Sequence, residues 1–474
     1  MQPVHISPFA GAWYPEQPSA LGNLLDEAFE RSRQRIGPFL FPHGLGYVTP
    51  HAGPQYSGTV AAAVYRSLEQ QKPERIVVLA FPHHGGLQGM AIPDVETIST
   101  PLGEVPIDRE FAPGFARIAE NRVCDHSFEI QLPFLQKAVP NARVTPVYVG
   151  RTGAEERRAA AERLAAAWQP GVVFLASSDF THYGRGFGYV PFPADSTVAL
   201  HLRELDFDCA EAAGSLDSSL FLETLEERGA TVCGSGPISL LLDVMHLLGG
   251  DDIYQATLDY ETSGELTGDY QHSVSYAALG YFRRAAFDLD ASDRAALLDS
   301  AAETLRRLRQ TGAREAVPAS GGSAALQAKR GCFVSLHQGQ ELLGCLGNCL
   351  GRKPLGQEAA DLSLAAALED PRFRPAAEVP GPIDIEISVL TPFRRIRRVE
   401  QFRLGVHGAY LKLDGRAGLL LPQVALNHEW TVESFWQALA RKSGLGRHAW
   451  GDPKARLSVF EAQVFSRPGL PGRS

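Results

Sequence analysis

The stretch Tyr47-Val48-Thr49-Pro50-His51-Ala52-Gly53-Pro54 decides the fold. Residues 46–48 read as the end of a buried strand. Pro50 stops it, because proline offers no amide to a ladder and restricts the residue before it. His51 then stands at the strand's carboxyl end, in a turn held open by Ala52, Gly53 and Pro54. The arrangement recurs twice. Arg75–Ala80 (RIVVLA) is a β-branched run ending in Pro82-His83-His84-Gly85-Gly86, and Val172–Ser177 (VVFLAS) ends in Ser178-Asp179-Phe180-Thr181-His182. Open α/β sheets bind their ligands outside the carboxyl ends of strands. Three apolar strands, each ending in a histidine-bearing turn, therefore predict one shared polar site.

The segments around these strands alternate. Residues 21–33 and 59–70 carry helical patterns, 98–107 is proline-interrupted and reads as a loop or edge strand, and 130–138 is helical. Residues 144–149 form a further strand, and 155–168, rich in Ala, Arg and Glu, form a helix. Such alternation implies βαβ units and a largely parallel sheet. Residues 210–228 read as mostly helical. The glycine-rich turn 231–237 opens a helix running to Leu248, with Pro237 at its first position, and 274–282 is the last strand of the series.

The pattern resets over 283–290. A helix over 293–310 with a cap at Ser292 follows, then a Gly/Ala/Ser/Pro-rich loop over 311–323. Strand-like runs come next at 332–337, 383–390, 411–413, 419–421 and 457–465. The organisation expected is an α/β domain over 1–284, a linker over 285–291, a smaller α+β domain over 292–466 and a flexible tail over 467–474.

Composition agrees with this. A chain of 474 residues suggests two or three domains. With 44% hydrophobic and 21% charged residues it is able to bury substantial cores. A formal net charge of -9 argues against general nucleic-acid binding. No apolar run approaches a membrane span, and residues 1–15 lack the basic-then-apolar pattern of a signal peptide. The expectation is a cytoplasmic protein whose six sparse cysteines are reduced thiols or ligands rather than a disulfide framework.

His51, His83 and Cys233 are a candidate three-ligand metal set. Imidazole and thiolate bind zinc, copper or ferrous iron, and three protein ligands leave a position open. Cys233 precedes a helix start, which is expected to lower its thiol pKa. Asp179, His182 and His126 are candidates to orient the ligands or to act as acid and base. Two other readings stand beside this one. The histidines are hydrogen-bonded turn residues and Cys233 a small buried hydrophobe, or Cys233 is a nucleophile with His51 or His83 as its base. The nucleophile reading leaves the remaining histidine turns without a task. Elsewhere, Cys345 and Cys349 read as small buried hydrophobes rather than half of an iron–sulfur motif. Within Arg394-Arg395-Ile396-Arg397-Arg398, alternation places Ile396 inward and the charges outward. His407 reads as a turn residue, and Trp430, Trp436 and Trp450 as core.

The first part of the chain resembles the Memo family. The matching stretches are Ala10-Gly11-Ala12-Trp13-Tyr14-Pro15, Thr49-Pro50-His51-Ala52-Gly53, Pro82-His83-His84, Asp125-His126-Ser127, Ser177-Ser178-Asp179-Phe180-Thr181-His182, Thr231-Val232-Cys233-Gly234 and Ser273-Val274-Ser275-Tyr276. They occur in order over about 5–283. That family is structurally related to class III extradiol dioxygenases, which use non-haem ferrous iron. The resemblance implies metal ligation by His51, His83 and Cys233, with Asp179 and His182 beside them. Phe9 stands where some relatives carry a histidine, and a cysteine replaces the carboxylate ligand of the dioxygenases, which changes the iron's charge and redox behaviour.

The second part resembles the AMMECR family through Leu342-Leu343-Gly344-Cys345-Leu346-Gly347, Ala366-Ala367-Leu368-Glu369-Asp370-Pro371-Arg372-Phe373, Glu386-Ile387-Ser388-Val389-Leu390, Gly405-Val406-His407-Gly408 and Leu421-Pro422-Gln423-Val424-Ala425. Leu343 replaces the usual arginine, and Ala440 a cysteine of bacterial relatives. The joined pair looks like two components of the AmmeMemoRadiSam system in one chain. What this implies is a metal-dependent, redox or oxygen-linked enzyme. Iron is the favoured divalent metal and copper or zinc the alternatives. The substrate would be a small molecule or peptide, and a radical SAM protein the partner. The other class of function is a non-catalytic scaffold that binds a metal or a peptide.

Overall fold

The strand that carries His51 lies inside a wide sheet because its own residues leave it no exposed face. In the computed structural model, which describes residues 4–111, 114–122, 124–319, 323–427 and 430–470, every residue of Gly46–Thr49 (β1) is buried. The other members of the sheet among the described residues are Arg75–Ala80 (β2), Met90–Pro93 (β3), Ala116–Ile118 (β4), Arg143–Val149 (β5), Val172–Ser177 (β6), His182–Gly184 (β7), Ile253–Thr262 (β8) and His272–Arg283 (β9). Their order is β7-β9-β1-β6-β2-β5-β3-β4, with β8 paired to the free stretch of β9. The central four, β1, β6, β2 and β5, are parallel. They read as continuous apolar runs because both faces are covered: all of β6, and β2 from Ile76 onward, is buried. Thr49 pairs with Ser177, and β2 lies beside β6 in the same direction. The residues just past these three ends, His51, Asp179 and His83, therefore emerge at one edge of the sheet.

Helices Pro18–Ile36 (α1), Pro54–Gln71 (α2), His126–Glu129 (α3), Gln131–Ala138 (α4), Ala154–Ala167 (α5), Val198–Ala213 (α6), Ser218–Arg228 (α7), Ser235–Gly249 (α8) and Ser263–Thr267 (α9) complete this unit. α2 begins at Pro54, earlier than its periodicity suggests, because proline suits the first helical position. Pro237 takes the third position of α8 rather than the first. The single helical stretch read over 210–228 is two helices: Leu216 adopts φ 58° between them, and Asp217 caps α7 by accepting from the Ser219 and Leu220 amides. Residues 97–106 are a hairpin, Thr97–Thr100 with Gly103–Pro106, and Val4–Ile6 adds to it in parallel.

The chain divides into two compact units. The second runs from Phe287 and groups with Gly37–Leu40. The stretch expected as a linker is structured: Arg284–Phe287 form a 3-10 turn, Phe287 and Leu289 are buried, and Asp290 rather than Ser292 caps Ala291–Thr311 (α10). α10 and Leu355–Leu368 (α11) pack together and cover an antiparallel sheet of Cys332–Gln338 (β10), Glu341–Asn348 (β11) and Ile383–Leu390 (β12). A second antiparallel sheet holds Arg394–Ile396 (β13), Gly408–Leu413 (β14), Arg416–Leu420 (β15) and Arg456–Phe460 (β16), with Pro422–Asn427 (α12) and Val432–Lys442 (α13). The run read as one strand over 457–465 breaks at Glu461. β16 stays in the second sheet, and Ala462–Leu470 (β17) joins the first beside β12. β12 and β13 break at the matching place, and reciprocal bonds join Thr391 and Glu461 there (2.9 and 3.0 Å).

Three expectations are corrected here. Residues 467–470, assigned to a flexible tail, continue β17 and pair with β12; residues 471–474 lie outside the described residues. Arg394 is buried beside Ile396, since residues two apart share a face of a strand. Trp436 is core, whereas Trp430 and Trp450 are only partly buried against it. His407 is fully buried before β14, its Nδ1 accepting from the Arg403 amide at 3.1 Å. The six cysteines are free thiols, and no helix among the described residues is long and apolar enough to cross a membrane.

Candidate metal centre

The turn after β1 is strapped to the turn after β6. Asp179 Oδ1 accepts the His51 amide at 2.9 Å and the Ala52 amide at 3.3 Å. This fixes His51, which is buried, with its Nδ1 3.0 Å from Ser177 Oγ. The direction of that bond follows from a proton count. The Ser177 hydroxyl donates its single proton to the Ser127 carbonyl. Gln131 Nε2, held as a donor by the Pro50 carbonyl (3.0 Å), donates to Ser177 Oγ at 2.9 Å. Ser177 has only an acceptor site left, so His51 Nδ1 carries the proton and the Nε2 lone pair faces Cys233 Sγ. Burial, reinforced by the neighbouring His83, depresses the His51 pKa to about 3, so the ring is neutral.

His83 is set the same way by a different group. Asp125 Oδ2 accepts the His83 amide at 3.0 Å, and Oδ1 accepts Nδ1–H at 2.8 Å. Asp125 is fully buried and caps α3 by accepting from the Ser127 amide. Burial alone would raise its pKa. The His83 bond, the imidazoles of His126 and His83 and the Ser127 amide outweigh burial and bring it to about 2. As a carboxylate it keeps a proton on His83 Nδ1 and turns Nε2 away from itself. His83 is the exposed member of the set, so the cluster opens to solvent on its side.

Cys233 arrives from the turn between α7 and α8. Its Sγ lies 3.2 Å from His51 Nε2 and receives the Asp179 amide at 3.3 Å. Gly234 makes the approach feasible: a Cβ there would sit 2.5 Å from both the Ser177 carbonyl oxygen and Ser178 Cβ. The start of α8 was expected to lower the thiol pKa. Burial and the nearby Asp179 carboxylate push it up instead, so the thiolate needs a cation. The ligand atoms of His51, His83 and Cys233 all lie within 4.8 Å of one another. Two imidazoles whose Nδ1 atoms are tied to protein acceptors, and one thiol, suit zinc, copper or ferrous iron.

The candidate acid–base residues stand around this cluster. Asp179 is buried, and burial raises its pKa despite His182 and the two amides it accepts. His182 Nδ1 faces two carbonyl oxygens, Phe180 at 2.9 Å and Thr231 at 3.2 Å, so it carries a proton. Asp206 on α6 holds that turn by accepting from the Thr181 amide (3.1 Å), the Thr181 hydroxyl (2.6 Å) and Tyr260 (2.7 Å). His126 stacks between His83 (4.1 Å) and Trp13 (4.4 Å), with Phe9 edge-on at 5.9 Å; burial lowers its pKa to about 3.

Sequence reasoning assigned no role to Ser177, Gln131, Asp125 or Asp206. Ser177, a hydroxyl ending an apolar strand, and Asp125, directly before His126, carried a signal. Gln131 and Asp206 look like ordinary helix residues.

In the second unit, Asp370 accepts the Cys345 amide (2.8 Å) and the Arg372 side chain (2.6 and 2.9 Å), and Ser335 donates to Cys345 Sγ at 3.2 Å. Leu343 and Ala440 are both buried in the cores of that unit.

Comparison with known proteins gives two family matches. A Memo-like protein model matches residues 7–280, and an AMMECR1 model matches residues 298–465. A MEMO1 family protein of Methanosarcina barkeri is 36% identical over 279 residues, covering 57% of this chain and 97% of the relative. One of Methanopyrus kandleri is 33% identical over 296 residues, covering 58% and 97%. An uncharacterized protein of Pyrococcus horikoshii, known from its crystal structure, is 28% identical, covering 37% of this chain and 95% of its own, at a TM-score of 0.34.

Proposed function

Because this chain belongs to the Memo-like family and carries an AMMECR1 domain after it, we propose that His51, His83 and Cys233 hold one divalent metal and make the first unit a metal-dependent enzyme. The observation that carries this reading is the pair of imidazoles whose Nδ1 atoms are each tied to a protein acceptor, Ser177 for His51 and Asp125 for His83, beside a thiol with no cation of its own. That is the arrangement by which proteins orient ligating histidines. Bound iron, the favoured metal, or copper supplies Lewis acidity and a one-electron couple; zinc supplies Lewis acidity alone.

The chain's own residues handle protons and access. Asp179 and His182, beside the ligands, are the acid–base pair. His126, held between Trp13 and His83, walls the site beside His83. The reaction class is an oxidoreduction of the kind run by class III extradiol dioxygenases, on a small molecule or a peptide side chain. Thiolate in place of carboxylate makes the metal site softer. The AMMECR1 domain joins the reaction to a radical SAM partner.

The test is elemental analysis of protein purified without chelator. Cys233→Ser and His83→Ala each lose one metal equivalent per chain relative to wild type. Equal metal in wild type and both variants rejects the centre. Metal lost on mutation, with no turnover in the presence of the partner, favours a binding scaffold instead.

A further inference from the structure

A second group of metal-binding side chains lies behind α3, built from residues the first centre does not use. His5 on the N-terminal strand, Cys124 and Glu129 bring a ring nitrogen, a thiol and a carboxylate oxygen within 4.8 Å of one another. Glu129 is fully buried. Its Oε1 lies 3.0 Å from His5 Nε2, and its Oε2 has no hydrogen-bond partner among the described residues. A buried carboxylate oxygen without a partner is rare, and its usual explanation is an ion or water. The other face of the His5 ring supplies the rest of a ligand's surroundings: Nδ1 stands 3.4 Å from Glu120 Oε2. A proton held on Nδ1 by Glu120 leaves Nε2 able to bind a cation in place of its own proton.

We propose that His5, Cys124 and Glu129 form a second metal site, a structural one of zinc type, separate from the His51–His83–Cys233 centre. Nitrogen, sulfur and oxygen donors of this kind suit zinc. Bonds of about 2.0–2.3 Å place tetrahedral ligand atoms roughly 3.3–3.7 Å apart, which needs only a small contraction of the present cluster. Both Glu129 oxygens, or one oxygen and a water, complete four positions. On binding, the thiol gives up its proton to solvent, the His5 Nε2 proton leaves likewise, and no electron changes hands. The site ties strand Val4–Ile6 to the start of α3, whose cap Asp125 holds His83. It therefore acts as a staple under the first centre rather than as part of it.

The experiment uses the full chain with Cys233→Ser, which removes the thiolate of the first centre, titrated with cobalt(II) and then zinc. The expected result is one cobalt equivalent with a thiolate-to-cobalt charge-transfer band, displaced by zinc. The band disappears in whichever of Cys124→Ser, His5→Gln and Glu129→Gln, added to that parent, stays folded by far-ultraviolet circular dichroism. A folded parent that never develops the band, or a folded variant that keeps it, overturns the site.

Discussion

At the scale of single residues, the first centre depends as much on what lies behind the histidines as on the histidines. Ser177 fixes the His51 tautomer only because its proton is spent on the Ser127 carbonyl and its other neighbour, Gln131, is a donor. Ser177→Ala removes the acceptor for His51 Nδ1–H without touching a ligand. It is expected to weaken metal affinity about 10–100-fold, measured by competition against a chromophoric chelator; unchanged affinity would mean that His51 needs no such support. The structure brings together His51, His83 and Cys233, which the sequence offered as candidates because each stands in a turn, two of them at strand ends. Gln131 and Asp206 were not, because a helix residue's hydrogen-bond partner is a fact of tertiary structure. Arg394 was misread for a simpler reason: it lies two residues from Ile396, so alternation itself puts both on one face. The thiol's pKa was misread because burial beside Asp179 outweighs the helix start.

Elements show where patterns mislead. β8 was missed because its register shifts between Thr257 and Asp259, which breaks the two-residue alternation a strand is recognised by. The first turns of α6 were missed although Val198, Leu202, Leu205 and Cys209 are buried at helical spacing. By contrast β2, β6 and β12 were legible to the residue, β2 and β6 as near-continuous apolar runs and β12 by the alternation of Ile383, Ile385 and Ile387 with polar residues. In the second unit Asp370, just past α11, ties that turn to β11 by accepting the Cys345 amide, and it also accepts the side chain of Arg372 two residues on. The Arg372 hydrogen bond, against a smaller opposing effect of burial, holds the Asp370 pKa at about 2. Its folded-state pKa is depressed, so its stabilisation is present above the ordinary carboxylate range and is lost as pH falls from about 4 toward 2. Arg372 is half exposed, and solvent screening leaves about 1–2 kcal/mol. Asp370→Asn is expected to lower urea stability by that amount at pH 7, with the gap to wild type closing below about pH 4. A gap that persists at pH 3 would assign the loss to packing rather than charge.

For the whole molecule, the division into an α/β unit and an α+β unit was legible because the hydrophobic pattern changes after β9. The nature of the junction was not. Leu289 is buried, and both its amide and its carbonyl bond to the Gln463 side chain (2.8 and 3.0 Å), so a stretch that looks like a linker is part of the second unit. Residues 312–316, by contrast, lack regular structure, and Arg314 among them is exposed. Trypsin under native conditions is therefore expected to cut after Arg314 before it cuts at Arg283 or Arg284, as read by the terminal sequence of the first fragments; earlier cleavage at Arg283 or Arg284 would restore a loose junction. The order of strands in the large sheet carries a further consequence, for a chain emerging from the ribosome. β9, residues 272–283, inserts between β7 and β1, so the sheet edge bearing His51 is completed by the last strand of the unit to be made. Nascent chains cut short before Cys233 hold two ligands of the first centre and an unclosed sheet. At about 5–20 residues per second, translating the roughly 190 residues that follow β9 takes on the order of 10–40 s. The first unit has that interval to close its sheet while the second unit is still being synthesised.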